Sequence, residues 1–89
     1  MTRAEQANAA PRAACNLAAE LTAAGWLWAI GGHVNPERRL LRVCGHHPSG
    51  TPGVVANWEN GRLHSCVVWN PTAVETTLTA AGKLVRGEG

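Results

Sequence analysis

The stretch that decides the fold is VVANWENGRLHSCVVW, residues 54–69, in which two largely apolar runs are joined by Asn60-Gly61. Asn-Gly is the dipeptide that two-residue type I′ turns favour, because both central residues take a positive φ. The sequence therefore predicts a β-hairpin with strands at about 54–59 and 62–69.

The turn also predicts the register of this hairpin. With Asn60 and Gly61 as the two loop residues, Glu59 faces Arg62, and successive pairs alternate between the two faces of the sheet. One face is then mostly apolar and the other mostly polar, as expected for an antiparallel sheet that is covered on one side. The predicted core face carries Val54, Ala56, Trp58, Leu63, Ser65, Val67 and Trp69, and the predicted open face carries Val55, Asn57, Glu59, Arg62, His64, Cys66, Val68 and Asn70.

Further elements are predicted on both sides of the hairpin. Alternating residues indicate strands at about 26–34 and 38–46, and an Ala-rich segment predicts a helix at about 11–25. Asn70-Pro71 and the Thr72-x-x-Glu75 frame are typical of a helix start, so a second helix is expected at about 71–85, followed by a loose tail at 86–89. The expected fold is a single small α+β domain at 1–89, with the order α-β-β-β-β-α and both helices packed on one face of a four-stranded antiparallel sheet.

Composition limits the range of functions. The 89 residues are 45% hydrophobic and 16% charged, which indicates one globular domain. The aromatic residues are four Trp without Phe or Tyr, so Trp26, Trp28, Trp58 and Trp69 are expected to supply the large core side chains. The formal charge of +2 is low for a nucleic-acid-binding domain, and no apolar run is long enough for a membrane span. Three cysteines without a secretory signal favour reduced thiols and a cytoplasmic location.

Two cysteines and two histidines form the first candidate site. Cys44 and His46 are two residues apart on one strand, and His64 and Cys66 are two residues apart on another, so all four are predicted on the open face. Two Cys and two His can bind zinc tetrahedrally. In a simple meander the two strands are roughly 10 Å apart with one strand between them, which hinders a shared ion, whereas neighbouring strands would allow it. Zinc therefore stays an alternative, and no other cofactor is expected.

The sequence does not favour catalysis. Cys66 with His64 could act as a thiol nucleophile and its base, but no oxyanion motif or nucleophile elbow accompanies them. The Gly/Pro-rich segment at residues 45–53 lacks the phosphate-binding pattern. We therefore expect a protein that is not an enzyme.

The preferred hypothesis is a small protein-interaction module that docks on another protein through the open face. Small proteins of this kind include accessory and inhibitor proteins of phages and mobile elements, which bind a host protein. The alternatives are a zinc-stabilised or nucleic-acid-binding module that uses the same face, and a homodimer formed through it. The candidate partner-binding residues are Arg42, His46, Val55, Asn57, Glu59, Arg62, His64 and Val68.

Overall fold

The computed structural model describes residues 11–34, 39–70 and 72–88. The segment that joins the predicted strands at about 26–34 and 38–46, including position 38, lies outside the described residues, as do position 71 of the predicted helix start and the last residue of the predicted tail. The described elements are, in chain order, helix α1 (Arg12–Ala23), strands β1 (Leu27–Val34), β2 (Arg39–His46), β3 (Gly53–Glu59), β4 (Arg62–Trp69) and β5 (Ala73–Glu75), and helix α2 (Leu78–Val85).

The five strands form one sheet in the order β1-β2-β3-β4-β5, and each neighbouring pair is antiparallel. The predicted α+β class, with two helices and an antiparallel sheet, is thus confirmed for the described part of the chain. The prediction of four strands is wrong, because residues Ala73–Glu75 form a fifth strand against the end of β4. Among the described residues, no helix combines the length and the apolarity needed to cross a lipid bilayer.

The fifth strand replaces the predicted start of the second helix. Helix α2 begins at Leu78, and its N-cap is Thr77, whose side chain accepts a hydrogen bond from the backbone N–H of Ala80. The earlier segment contains β-branched residues such as Val74, which pairs with Val68 across the β4–β5 ladder. Backbone pairing with β4 is therefore favoured over the local capping preference that begins at Asn70. The predicted helix start at about 71 is wrong.

One hydrophobic core contains side chains from the sheet and from both helices. Val43, Val54, Ala56 and Cys66 are buried in it, and the strand register places all four on the same side of the sheet, which we call the core face. The helices add small and aliphatic residues, and two tryptophans complete the cluster. These further core residues are Ala14, Leu17, Leu21, Trp26, Trp58, Ala81 and Val85.

The four tryptophans divide between the core and the surface. Trp26 and Trp58 are 7% and 2% exposed, so they are core residues as predicted. Trp28 lies on the core face but is 40% exposed, and its indole Nε1 donates to Thr22 Oγ1 on α1 at 2.9 Å. Trp69 is half-buried on the opposite face. The expectation that all four fill the core is therefore wrong for Trp28 and Trp69.

The turn between β3 and β4 has the predicted conformation. Asn60 and Gly61 have φ angles of 52° and 83°, both positive as a type I′ turn requires. Asn60 also ties the turn to β2, because its backbone N–H donates to Arg39 O at 2.8 Å and its Oδ1 accepts from the Arg39 N–H at 2.9 Å. The hairpin tip is therefore held beside the first residue of β2.

Candidate functional site: the open face of the sheet

The open face is the side of the sheet opposite the core face. Because side chains alternate along a strand, the register assigns every second residue of each strand to it. Among the residues whose side chains the structure describes, the open-face residues are Leu27, Ala29 and Gly31 in β1; Leu40, Arg42, Cys44 and His46 in β2; Gly53, Val55, Asn57 and Glu59 in β3; Arg62, Ser65, Val67 and Trp69 in β4; and Ala73 and Glu75 in β5.

A row of hydrogen-bonded side chains crosses the middle of the open face. Arg42 Nε donates to Asn57 Oδ1 at 2.8 Å, and Asn57 Nδ2 donates to Ser65 Oγ at 3.0 Å. The row is straight because Arg42 pairs with Asn57, and Asn57 with Ser65, across three neighbouring strands. These bonds orient the Arg42 side chain and leave its terminal nitrogens as donors. Among the described residues, Arg42 forms no salt bridge with a carboxylate.

A groove with a volume of about 640 Å³ lies around this row. Arg42, Asn57 and Ser65 line it together with Leu40 and Gly31. Gly31 keeps the β1 side of the groove empty, since a Cβ at this position would have no neighbouring atom within 4 Å. Glu59 also lines the groove, at the level of Leu40, its partner in the β2–β3 ladder. The groove lining therefore combines the oriented Arg42 cation with apolar and amide surface, and the Glu59 carboxylate lies at one end of it.

A β-bulge in β4 changes which side chains face the groove. Asn57 pairs with Ser65 and the next pair is Trp58 with Leu63, so His64 is an extra residue in the strand. The unbroken register that the turn predicts would pair Asn57 with His64 and Val55 with Cys66, and both pairs are therefore wrong. From the bulge onward every assignment reverses, so that Cys66 and Val68 lie on the core face while Ser65, Val67 and Trp69 lie on the open face.

The reversal separates the four candidate zinc ligands. Cys66 is 3% exposed in the core, and burial raises the pKa of its thiol. Cys44 is half-buried on the open face, where it pairs with Ala29 and Val55 in the adjacent strands. Within the described ranges no group of three or more His, Cys, Asp or Glu side chains is placed to hold a metal ion, and all three cysteines are free. The described geometry therefore does not bring the predicted zinc set, Cys44, His46, His64 and Cys66, together.

Most of the predicted partner-binding residues do lie on the open face. Arg42, Asn57 and Glu59 line the groove, and His64 reaches it from the bulge. Val68 is the exception, because it pairs with Val54 on the core face. The remaining predicted residues, His46, Val55 and Arg62, are on the open face outside the groove lining. Their role in binding stays a prediction.

Four open-face residues, Gly31, Ser65, Val67 and Trp69, are not found from the sequence. Strict alternation from the turn predicts Ser65, Val67 and Trp69 on the core face because it contains no bulge, and nothing in the sequence distinguishes Gly31 from the rest of its strand. Ser65 itself could have indicated the shift, because a serine hydroxyl is more easily satisfied on the open face, opposite Asn57, than in the core. Trp69 lies against Gly53, its cross-strand partner: a Cβ on Gly53 would come within 1.9 Å of the Trp69 ring.

Comparisons with known proteins return no relatives. No family model, curated protein or solved structure matches the chain. The geometry of the open face therefore carries the functional argument.

Proposed function

We propose that this protein is a non-enzymatic interaction module that binds an acidic segment of a partner protein in the open-face groove. One observation carries the proposal: the Arg42 guanidinium is oriented by Asn57 inside a groove, and no described carboxylate forms a salt bridge with it. An oriented guanidinium is well suited to a carboxylate, which it can engage with two parallel hydrogen bonds.

The surroundings of Arg42 favour an extended peptide as the ligand. The groove crosses several strands, and its lining contains polar side chains together with the small or apolar residues Ala29, Gly31 and Leu40. An extended segment with acidic and apolar residues in alternation would place a carboxylate on Arg42 and an apolar neighbour near Leu40. The net charge of +2 assists the approach of an acidic partner.

The proposal includes a cytoplasmic location. Cys15, Cys44 and Cys66 are all free, which fits a reducing compartment such as the cytoplasm. Binding to an acidic segment of another protein would suit an accessory or inhibitor protein that acts by binding a host protein.

Two variants of one strand test the role of Arg42. The probe is a fluorescently labelled peptide of alternating Glu and Leu residues, and its Lys/Leu counterpart is the control peptide. Arg42→Gln should weaken binding of the acidic peptide about 10- to 100-fold, the range expected for loss of a charge-assisted contact. Arg39→Gln removes the same charge from the same strand, but Arg39 alternates with Arg42 onto the core-face side, so this variant should bind within about 2-fold of the wild type.

Three results would contradict the proposal. Equal losses in the two variants would indicate general electrostatic attraction, and equal binding of the Lys/Leu peptide would exclude carboxylate recognition. Absence of any binding to the acidic peptide at millimolar concentration would remove the support for this ligand class. Circular dichroism of both variants establishes that the fold is retained.

Nucleic-acid binding is the second candidate, and Trp69 favours it. This half-buried ring lies on the open face, further along β4 than Ser65, and aromatic rings on an open sheet face are used to stack single-stranded bases. A labelled oligothymidine in the same assay separates the two candidates. Binding that exceeds that of the acidic peptide, falls steeply with salt and is lost in Trp69→Leu would favour nucleic acid over protein.

A further inference from the structure

Strand β1 forms one edge of the sheet in the described part of the chain. Its eight residues, Leu27–Val34, pair with β2 on one side, and no described strand lies on the other. An unpaired edge presents a row of backbone donors and acceptors to any strand that can approach. The opposite edge, β5, is only three residues long and includes Glu75.

The β1 edge lacks the features that normally prevent pairing. Residues 27–32 include no charged residue and no proline, either of which would discourage an added strand. Three large apolar residues on this strand are exposed: Leu27 at 57%, Trp28 at 40% and Ile30 at 48%. Their exposure on an edge strand indicates a surface that a further strand would cover.

We propose that β1 pairs antiparallel with β1 of a second copy of this chain, about a two-fold axis at Ile30. In an antiparallel ladder, outward-facing backbone groups occur on every second residue, so only registers that match equivalent residues are allowed. With Ile30 opposite Ile30, the register places Trp28 opposite Gly32 of the second copy and Ala29 opposite its Gly31. This register pairs nearly the whole strand.

Side-chain size favours this register. The large Trp28 meets a glycine on each side of the axis, so the two strands approach without a clash between bulky residues. A tryptophan–glycine pair of this kind already occurs within the chain, where Trp69 packs over Gly53, its cross-strand partner. A Cβ on Gly32 would lie 2.5 Å from the Leu40 backbone oxygen and 3.5 Å from Leu41 Cδ1, so this position has no room for a side chain of its own. An aromatic ring from the second copy that lies over Gly32 would have Leu41 as an apolar neighbour.

A second copy fits better than an unrelated strand because the edge is self-complementary. At the two-fold axis Ile30 meets Ile30, which joins the exposed apolar residues of the two core faces into one strip. The result is a continuous sheet made of both copies, with the open faces of the two copies on the same side. Ala29 and Gly31 belong both to this pairing strand and to the lining of the Arg42 groove. The two proposals have separate readouts, the mass in solution for the pairing and peptide binding for the groove, so either can fail without the other.

The first measurement is the mass of the full chain in solution by light scattering after size exclusion. The wild type should have about twice the 9.4 kDa of one chain. Ile30→Lys and Ile30→Glu should each raise the dimer dissociation constant by about 100-fold, because each places like charges opposite one another at the axis. Val74→Lys is the matched control: Val74 is 57% exposed on the other edge strand, and this variant should remain dimeric.

Mixing the two Ile30 variants tests the register itself. Because Ile30 faces its own copy, the Lys variant and the Glu variant should recover a dimer when combined, which a misfolded variant could not do. A wild type of 9.4 kDa at about 100 µM, a dimer that persists in both single variants, or a mixture that stays monomeric would overturn the proposal.

Discussion

Ala56 lies directly opposite Cys66 in the β3–β4 ladder, and both side chains are buried in the core, at 0% and 3% exposure. This pairing places Cys66 among the packing residues, while Cys44, on the other face of the sheet, is only half-buried. The two thiols therefore lie in different surroundings, Cys66 in the core and Cys44 on the open face, although both belong to inner strands of the sheet.

Serine substitution should distinguish the two cysteines. Cys66→Ser places a hydroxyl in an apolar site and should lower the free energy of unfolding by about 1–3 kcal/mol. Cys44→Ser, at a half-buried site on the polar face, should change it by less than about 0.5 kcal/mol. Urea denaturation followed by tryptophan fluorescence measures both. Equal losses would mean that Cys66 is not in the core.

The Cys66 thiol should also make stability depend on alkaline pH. Burial raises the pKa of Cys66 above its ordinary value of about 9.0, so the folded state holds this proton more tightly than the unfolded chain does. The contribution is complete below about pH 9 and is lost as the pH rises through the folded-state pKa. As the pH rises above about 9, the free energy of unfolding should therefore fall more steeply in the wild type than in Cys66→Ala. Parallel curves would contradict this account.

The contact between Trp69 and Gly53 predicts the effect of an added methyl group. Gly53→Ala would bring a Cβ within 1.9 Å of the Trp69 ring, so the ring must move, at a cost of about 1–3 kcal/mol. Gly31→Ala is the control, because its Cβ would meet nothing within 4 Å, and it should be neutral or slightly stabilising. In Trp69→Leu the cost of Gly53→Ala should shrink, and a strictly additive double variant would show that the two residues do not contact each other.

The observed start of α2 predicts unequal effects of two threonines. Thr77→Ala removes the hydroxyl that accepts from the Ala80 N–H and should lower the free energy of unfolding by about 1 kcal/mol. Thr72→Ala removes an exposed side chain before β5 and should have an effect below about 0.5 kcal/mol. Thermal unfolding by circular dichroism measures both variants. A larger loss for Thr72→Ala would instead support a helix that begins near residue 71.

The hairpin turn was predictable and the bulge was not, for a physical reason. Asn60-Gly61 encodes its turn locally, through two residues that tolerate positive φ. The bulge at His64 depends on non-local pairing: it lets Cys66 and Val68 enter the core while Trp69 packs over Gly53. Strand residues that are apolar at several consecutive positions, such as residues 66–69, fit either face, so alternation alone does not fix their direction.

At the candidate site, residues before the bulge were predictable and residues after it were not. Arg42, Asn57 and Glu59 precede the bulge, and their place on the open face was predicted correctly. Ser65 and Trp69 follow it and were assigned to the wrong face. The short strand β5 was missed because its pairing with β4 is a tertiary interaction, while the local sequence carries helix-start residues.

The central claim is that the Arg42 groove binds an acidic segment, and an NMR titration tests it most directly. Uniformly ¹⁵N-labelled protein is titrated with the alternating Glu/Leu peptide, and amide shifts are followed residue by residue. We expect saturable shifts at Arg42, Asn57 and Ser65, with none in α2, and we expect these shifts to be lost in Arg42→Gln but not in Arg39→Gln. Shifts that are absent, that concentrate on the helices, or that survive in Arg42→Gln would contradict it.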